Sequence, residues 1–196
     1  AIENYAAIPV TSYQEGIERG MIEEVADEFD QKYFDRVSQL SLRKEGRDNF
    51  KIVFTPLHGT AAYPVGTCLK RFGFDDVHVV PEQREPDGRF PTVTSPNPED
   101  PAALALAVKL AKETKADLVL GTDPDCDRVG IVVREGDVYL FLNGNQIGSL
   151  LMEYYLSALK DSDRWPENPM VVKTIVTTDL QNKIAEYYGA HIEETL

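Results

Sequence analysis

Three aspartates at alternate positions, Asp123, Asp125 and Asp127, stand in the run Gly121-Thr122-Asp123-Pro124-Asp125-Cys126-Asp127-Arg128. Alternate residues of an extended segment point to one side. A slight curl, which Pro124 favours, brings all three carboxylates toward one point. Three like charges that close resist ionising unless a cation sits among them. A divalent ion and the Arg128 guanidinium together would balance them. All-oxygen ligation selects a hard ion, magnesium, manganese or calcium, over zinc or copper.

Neighbouring residues exclude one familiar acidic loop and count against another. An EF-hand loop also opens D-x-D-x-D, but it needs Gly at its sixth place and Glu at its twelfth. Arg128 and Arg134 occupy those places. A phosphoaspartate nucleophile in a D-x-D-x-T loop would need Thr where Asp127 stands. The plain alternative is a solvated acidic turn, yet turns between apolar strands seldom need three acids and an arginine.

Positioning such a loop requires strands on either side. Leu118–Leu120 and Val129–Val133 are apolar runs that flank it, and Tyr139–Leu142 is a further strand ending at Asn143-Gly144. Upstream, Lys51–Phe54 reads as a strand, followed by the loop Thr55-Pro56-Leu57-His58-Gly59-Thr60. A helix then carries Val65, Cys68, Leu69 and Phe72 on one face and stops at Gly73. Val77–Val80 is the next strand, and residues 81–98 form a long loop with five prolines. Connections of that length within a domain are usually functional or disordered. Asp100 reads as the cap of a helix with Pro101 at its first position, lined by Leu104, Ala107, Val108 and Ala111.

Later elements are a helix with Ile147, Leu150, Leu151 and Tyr154, strand Met170–Lys173, helix Leu180–Tyr188 closed by Gly189, and a short strand His191–Ile192. Near the start, Asp30 reads as the cap of a helix with the stripe Tyr33, Phe34, Val37 and Leu40. Alternating strands and helices predict an α/β layer fold. Residues 1–44 read as a connector with one helix, 45–137 as a complete unit, and 138–196 as an incomplete second α/β unit. The chain starts as if something preceded it and stops mid-domain.

The chain has 196 residues, 42% hydrophobic and 27% charged, with a formal charge of −13. Nucleic-acid binding needs surplus Lys and Arg, so no nucleic-acid partner is expected. Cys68 and Cys126 are the only cysteines, without zinc or disulfide spacing. No apolar run approaches a membrane span and no signal-peptide pattern opens the chain, so a cytoplasmic location is the expectation.

The loop G-T-D-P-D-C-D-R resembles the metal-binding loop of the phosphohexomutases (the phosphoglucomutase and phosphomannomutase family), usually D-P-D-A/G-D-R. Carried over by position, the resemblance implies that Asp123, Asp125 and Asp127 each give an oxygen to one Mg²⁺. The remaining protein ligand is then a phosphoserine from another domain. Arg128 becomes the catalytic contact to the phosphoserine or substrate phosphate. Cys126 replaces the family's small residue and is expected only to pack.

Further stretches agree, and with the phosphoglucomutase-like branch in particular. Thr55–Thr60 is similar to the T-P-L-H-G-T segment of the family's second domain. Pro86-Asp87-Gly88-Arg89-Phe90-Pro91 with Ser95-Pro96-Asn97-Pro98-Glu99 is similar to its P-D-G-x-F-P and P-N-P-E loop. Val172–Thr178 looks like the start of its third domain, where a substrate-contacting lysine falls at about Lys173. His58 is expected to order its loop. Ser95 is not followed by the His of the family's phosphoserine loop T-A-S-H-N-P and is not expected to be a nucleophile.

Neither that phosphoserine loop, nor the sugar loop G-E-x-S-G, nor the phosphate clamp occurs here. The resemblance therefore implies a central piece with a mixed-sheet three-layer second domain and the first part of the third. The whole enzyme would interconvert hexose 1-phosphate and hexose 6-phosphate, glucose first, through a phosphoserine on a missing domain. The piece alone would be inactive. Mutases of mannose, glucosamine or pentose phosphates, a non-catalytic metal-binding module, and a phosphatase using Asp123 are the alternatives.

Overall fold

The computed structural model describes residues 7–196, which divide into a small unit ending at Arg36 and a large one, Val37–Leu196. In the small unit α1 (Tyr13–Glu18) is capped by Ser12, whose side chain accepts from the Glu15 N–H. Helix α2 (Asp27–Ser38) carries Asp27, Glu28 and Asp30 in its first turn. Asp30 is thus inside the helix and not at its cap. Acids there still complement the positive end of the helix dipole.

The large unit is built on a five-stranded mixed sheet. Its strands are β1 (Lys51–Thr55), β2 (Asp76–Val79), β3 (Leu118–Thr122), β4 (Val129–Glu135) and β5 (Val138–Leu142), in the order β2-β1-β3-β4-β5. β1, β2 and β3 run parallel to one another, β4 runs antiparallel to β3, and β5 antiparallel to β4. Ile52, Val53, Phe54 and Thr55 are each at most 1% exposed, so both faces of the central strand are covered, as parallel sheets require.

Helix α3 (Ala62–Arg71) links β1 to β2, and α4 (Ala105–Thr114) precedes β3. One face carries Val53, Val119 and Val132 in register, and Leu104, Ala107 and Ala111 pack on it. Alanines there let the helix lie close to the sheet. The α4 helix starts five residues after the expected cap: Asp100 accepts from the Ala102 N–H at 2.9 Å and closes a turn instead. Asn97 does the same to Glu99 at 3.0 Å. Two successive side-chain turns compete with helix for these N–H groups.

The sheet also runs past the expected boundary at 137. Glu135 pairs with Val138 across the two-residue turn Gly136-Asp137, and Gly136 takes φ 60, a conformation that glycine adopts without steric cost. β5 then leads into α5 (Gly144–Asp161), opened by a capping box in which Asn143 and Gln146 each bond the other's backbone N–H. α6 (Leu180–Tyr188) packs against α5, with Tyr188 donating to Glu153 at 2.6 Å. It joins β6 (Met170–Thr174) to β7 (His191–Thr195), a parallel two-stranded sheet. Among the described residues no helix is long and apolar enough to cross a membrane.

One polar knot fixes the far end of the main sheet. Asp117 accepts from the Lys51 N–H at 3.0 Å and from Arg134 at 2.6 Å. Its own N–H donates to the Lys51 carbonyl, and the Arg134 N–H donates to its carbonyl. The Lys51 backbone bond, opposed by partial burial and joined by the Arg134 bond, holds the Asp117 carboxyl below its usual range. Asp117→Ala is expected to cost roughly 1–2 kcal/mol at pH 7. A depressed folded pKa stabilises above the unfolded value of about 3.9 and loses that effect as pH falls through the folded one. Urea unfolding at pH 7 and pH 3 should show the gap between variant and wild type narrowing in acid.

Candidate metal centre

The loop 123–128 joins β3 to β4, where Thr122 pairs with Val129. One oxygen from each of Asp123, Asp125 and Asp127 lies within 4.8 Å of the others. Among the described residues this is the one such trio of His, Cys, Asp or Glu side chains. Asp123 is 1% exposed, whereas Asp125 and Asp127 face solvent.

Arg128 returns across the loop to hold the buried acid. Its N–H and its Nε donate to the two carboxylate oxygens of Asp123, both at 2.9 Å, and its Nε stands 3.6 Å from Asp127. Burial works to raise the Asp123 pKa, but the Arg128 backbone and side-chain bonds bring it below its ordinary value. Asp127 is pushed up, first by sharing a hydrogen bond with Asp123 and then by the charges of Asp123 and Asp125. A crowd of carboxylates that resists full ionisation is a donor set short of positive charge. Its oxygens suit a hard cation. The residues present therefore fit a divalent ion of the magnesium class.

Cys126 departs from expectation. It does not pack but is exposed, at φ 64 on the crest of the loop. Partial desolvation, and then the surrounding aspartates, raise its thiol pKa. A left-handed backbone costs glycine little and other residues more, a reason for glycine at this place.

A neighbouring turn supports the loop. Thr60 donates to the Pro124 carbonyl with its N–H at 2.9 Å and with its Oγ1 at 3.1 Å. Gly59 lies so close that a Cβ there would run into the Pro124 backbone. The turn itself is tightly wound, with Leu57 at φ 47 and His58 at φ 61. It is held by a buried chain: Thr55 Oγ1 donates to Gln83 at 2.7 Å, and Gln83 Nε2 donates to Thr92 at 3.0 Å. His58 Nε2 meets Thr92 Oγ1 at 2.8 Å, so this 5% exposed ring orders the loop.

The proline-rich segment also has a place. Gly121 and Gly130 pair across β3 and β4. A side chain at Gly130 would meet the Pro98 carbonyl, and one at Gly121 would run into the Leu104 side chain. Pro98 and Leu104 fill the hollow that the glycine pair leaves at the root of the carboxylate loop. Nothing in the sequence linked these residues, because the link depends on register. Ser95 is exposed on this segment.

Lys173 is elsewhere. It is 5% exposed and its ammonium contacts the Thr177 carbonyl at 3.2 Å, Glu194 at 3.2 Å and Asp179 at 3.5 Å. It lines a cavity of about 640 Å³ with Asn143, Gly144, Asn145, Thr177 and Gln181, and none of residues 123–128 reaches that wall. The sequence located the lysine but not its two acidic partners.

Residues 31–136, just over half of the chain, match the family described as phosphoglucomutase/phosphomannomutase, alpha/beta/alpha domain II. A phosphoglucomutase of Staphylococcus epidermidis is 38% identical over 181 residues, covering 91% of this chain and 32% of its own. One from Staphylococcus saprophyticus is 34% identical over 197 residues, with coverages of 100% and 35%. A crystal structure of a phosphoglucomutase/phosphomannomutase family protein from Burkholderia thailandensis superposes with TM-score 0.64 at 18% identity. It covers 92% of this chain and 37% of that one. The chain thus spans about a third of the length of the curated relatives it matches. The five-stranded mixed sheet, the carboxylate loop between β3 and β4, and the domain match agree: the chain belongs to the phosphoglucomutase/phosphomannomutase family.

Proposed function

We propose that this chain is the metal-holding part of a magnesium-dependent phosphohexomutase that interconverts glucose 1-phosphate and glucose 6-phosphate. The observation that carries the reading is the gathering of three carboxylates beside one guanidinium. The Staphylococcus relatives, named phosphoglucomutase, support glucose as the sugar. Mutases of mannose, glucosamine or pentose phosphates share the same chemistry, and the sugar-binding residues of the full-length gene discriminate them. The phosphoserine would come from residues outside these 196. In domain terms, residues 1–44 connect, the main sheet is the second domain, and the β6–β7 unit opens the third.

Phosphoryl transfer is mostly positioning and charge neutralisation. A bound Mg²⁺ would offset charge on the transferring phosphoryl group. Asp123, Asp125 and Asp127 would hold it, while Asp123 also accepts from the Nε of Arg128. That grip aims the terminal nitrogens of Arg128, whose side chain is 54% exposed, at a phosphate, which guanidinium binds in bidentate fashion. Lys173 is the proposed substrate contact. It lies at the wall of the 640 Å³ cavity, and its partners Asp179 and Glu194 have exposed side chains.

Calorimetry with MgCl₂ should give a dissociation constant weaker than micromolar for the chain alone, since it lacks the phosphate ligand. Asp125→Asn with Asp127→Asn should weaken it a further ~10–100-fold, at least what outer-shell changes cost at metal sites. Unchanged binding in that double variant would sink the metal assignment. The isolated chain should show no mutase turnover in a coupled assay, and measurable turnover would overturn the need for an outside phosphoserine. Arg128→Lys in the full-length enzyme should lower kcat about 10²-fold while Mg²⁺ affinity changes little, on the scale of losing one charge-stabilising donor.

A further inference from the structure

We infer that Thr60 is a positioning residue for the metal loop, holding the Pro124–Asp125 peptide in the orientation that turns Asp125 toward Asp123 and Asp127. The inference rests on the metal reading above and goes further by naming what keeps the ligands gathered before any ion arrives.

Pro124 lies between the first two aspartates, so the plane of its peptide sets the direction in which Asp125 leaves the chain. A carbonyl oxygen has two lone pairs, and Thr60 addresses the Pro124 oxygen twice, with its N–H at 2.9 Å and its hydroxyl at 3.1 Å. One donor leaves a peptide free to tilt about the bond; two donors from one residue, its backbone N–H and its hydroxyl, fix the tilt. The resistance this meets is real. Asp125 and Asp127 are exposed, and like charges drive them apart.

Thr60 itself cannot shift to follow the loop. Gly59 abuts the Pro124 backbone without room for a methyl group. The Gly59 N–H donates to the Pro56 carbonyl at 2.8 Å and the His58 N–H to the Gln83 carbonyl at 2.9 Å. Beneath them Leu57 and Thr55 are fully buried. The loop supplies the ligands, and the turn supplies the rigid edge against which they are set.

The test is an amide NMR titration of the chain with MgCl₂, comparing wild type, Thr60→Val and Thr60→Ser, with thermal melts in EDTA alongside. Valine keeps the branched shape and the N–H but removes the hydroxyl. The expected result is a dissociation constant raised about three- to tenfold in Thr60→Val, the effect of one net hydrogen bond. Its Asp125–Arg128 amides should shift before Mg²⁺ is added, and its melting temperature should stay that of the wild type. Thr60→Ser should restore binding to within about twofold, because it returns the donor.

Equal affinities in Thr60→Val and wild type would overturn the inference while leaving the metal site standing. So would Thr60→Ser binding as weakly as Thr60→Val, because returning the hydroxyl would then restore nothing. A valine variant that melts far lower moves the decision to Thr60→Ser and Thr60→Ala: weak binding by alanine with recovery by serine supports the role, and equal binding by the two ends it. A wild type with no saturable shift would sink both this inference and the metal reading.

Discussion

Asp123 is a carboxylate with 1% of its surface in contact with solvent, and it remains the acidic member of its cluster. Burying a lone carboxylate would cost several kcal/mol. Two N–H groups of Arg128, one from the backbone and one from the guanidinium, make it tolerable. Much follows from this contact. The backbone bond curls the chain back on itself within six residues, and that curl brings Asp127 beside Asp123. The Arg128 bonds keep Asp123 low while the crowding raises Asp127, and the loop is left disposed toward a hard cation. Arg128 is at once the structural counter-ion of the loop and the group offered to a phosphate.

Around that contact the architecture is a set of close approaches. Short residues occur where neighbouring segments nearly touch: Gly59 against Pro124, Gly130 against Pro98, Gly121 against Leu104, alanines where α4 lies on the sheet. Gln83, Thr92 and Thr55 tie the turn at the loop end of the sheet, and Asp117 ties the opposite end. A rigid platform of this kind lets six loop residues keep a demanding shape.

The sequence disclosed what has short range. Alternating acids with a proline between them announced a gathering of carboxylates, and apolar runs announced the strands that carry them. Helix starts were less legible, because Asn97, Asp100 and Asn143 all have cap-forming side chains and only one of them opens a helix. The strand after Asp137 was legible, but its membership in the first sheet was not. That depended on Gly136 turning the chain within two residues. Long-range pairings were invisible: Thr60 meets Pro124, Pro98 meets Gly130, and Lys173 meets Glu194 through folding alone.

The sheet order holds a last consequence. β1 lies between β2 and β3, so the long segment 81–98 leaves the sheet on one side of β1 and the chain returns on the other. A single peptide cut near the exposed Arg89 would separate the chain into two parts, one bearing β1 and β2, the other β3 to β5. The β1–β3 ladder and the Thr60–Pro124 bonds would still bridge the cut. The domain is in effect a naturally divisible pair, whose halves meet along the seam where the carboxylate loop emerges.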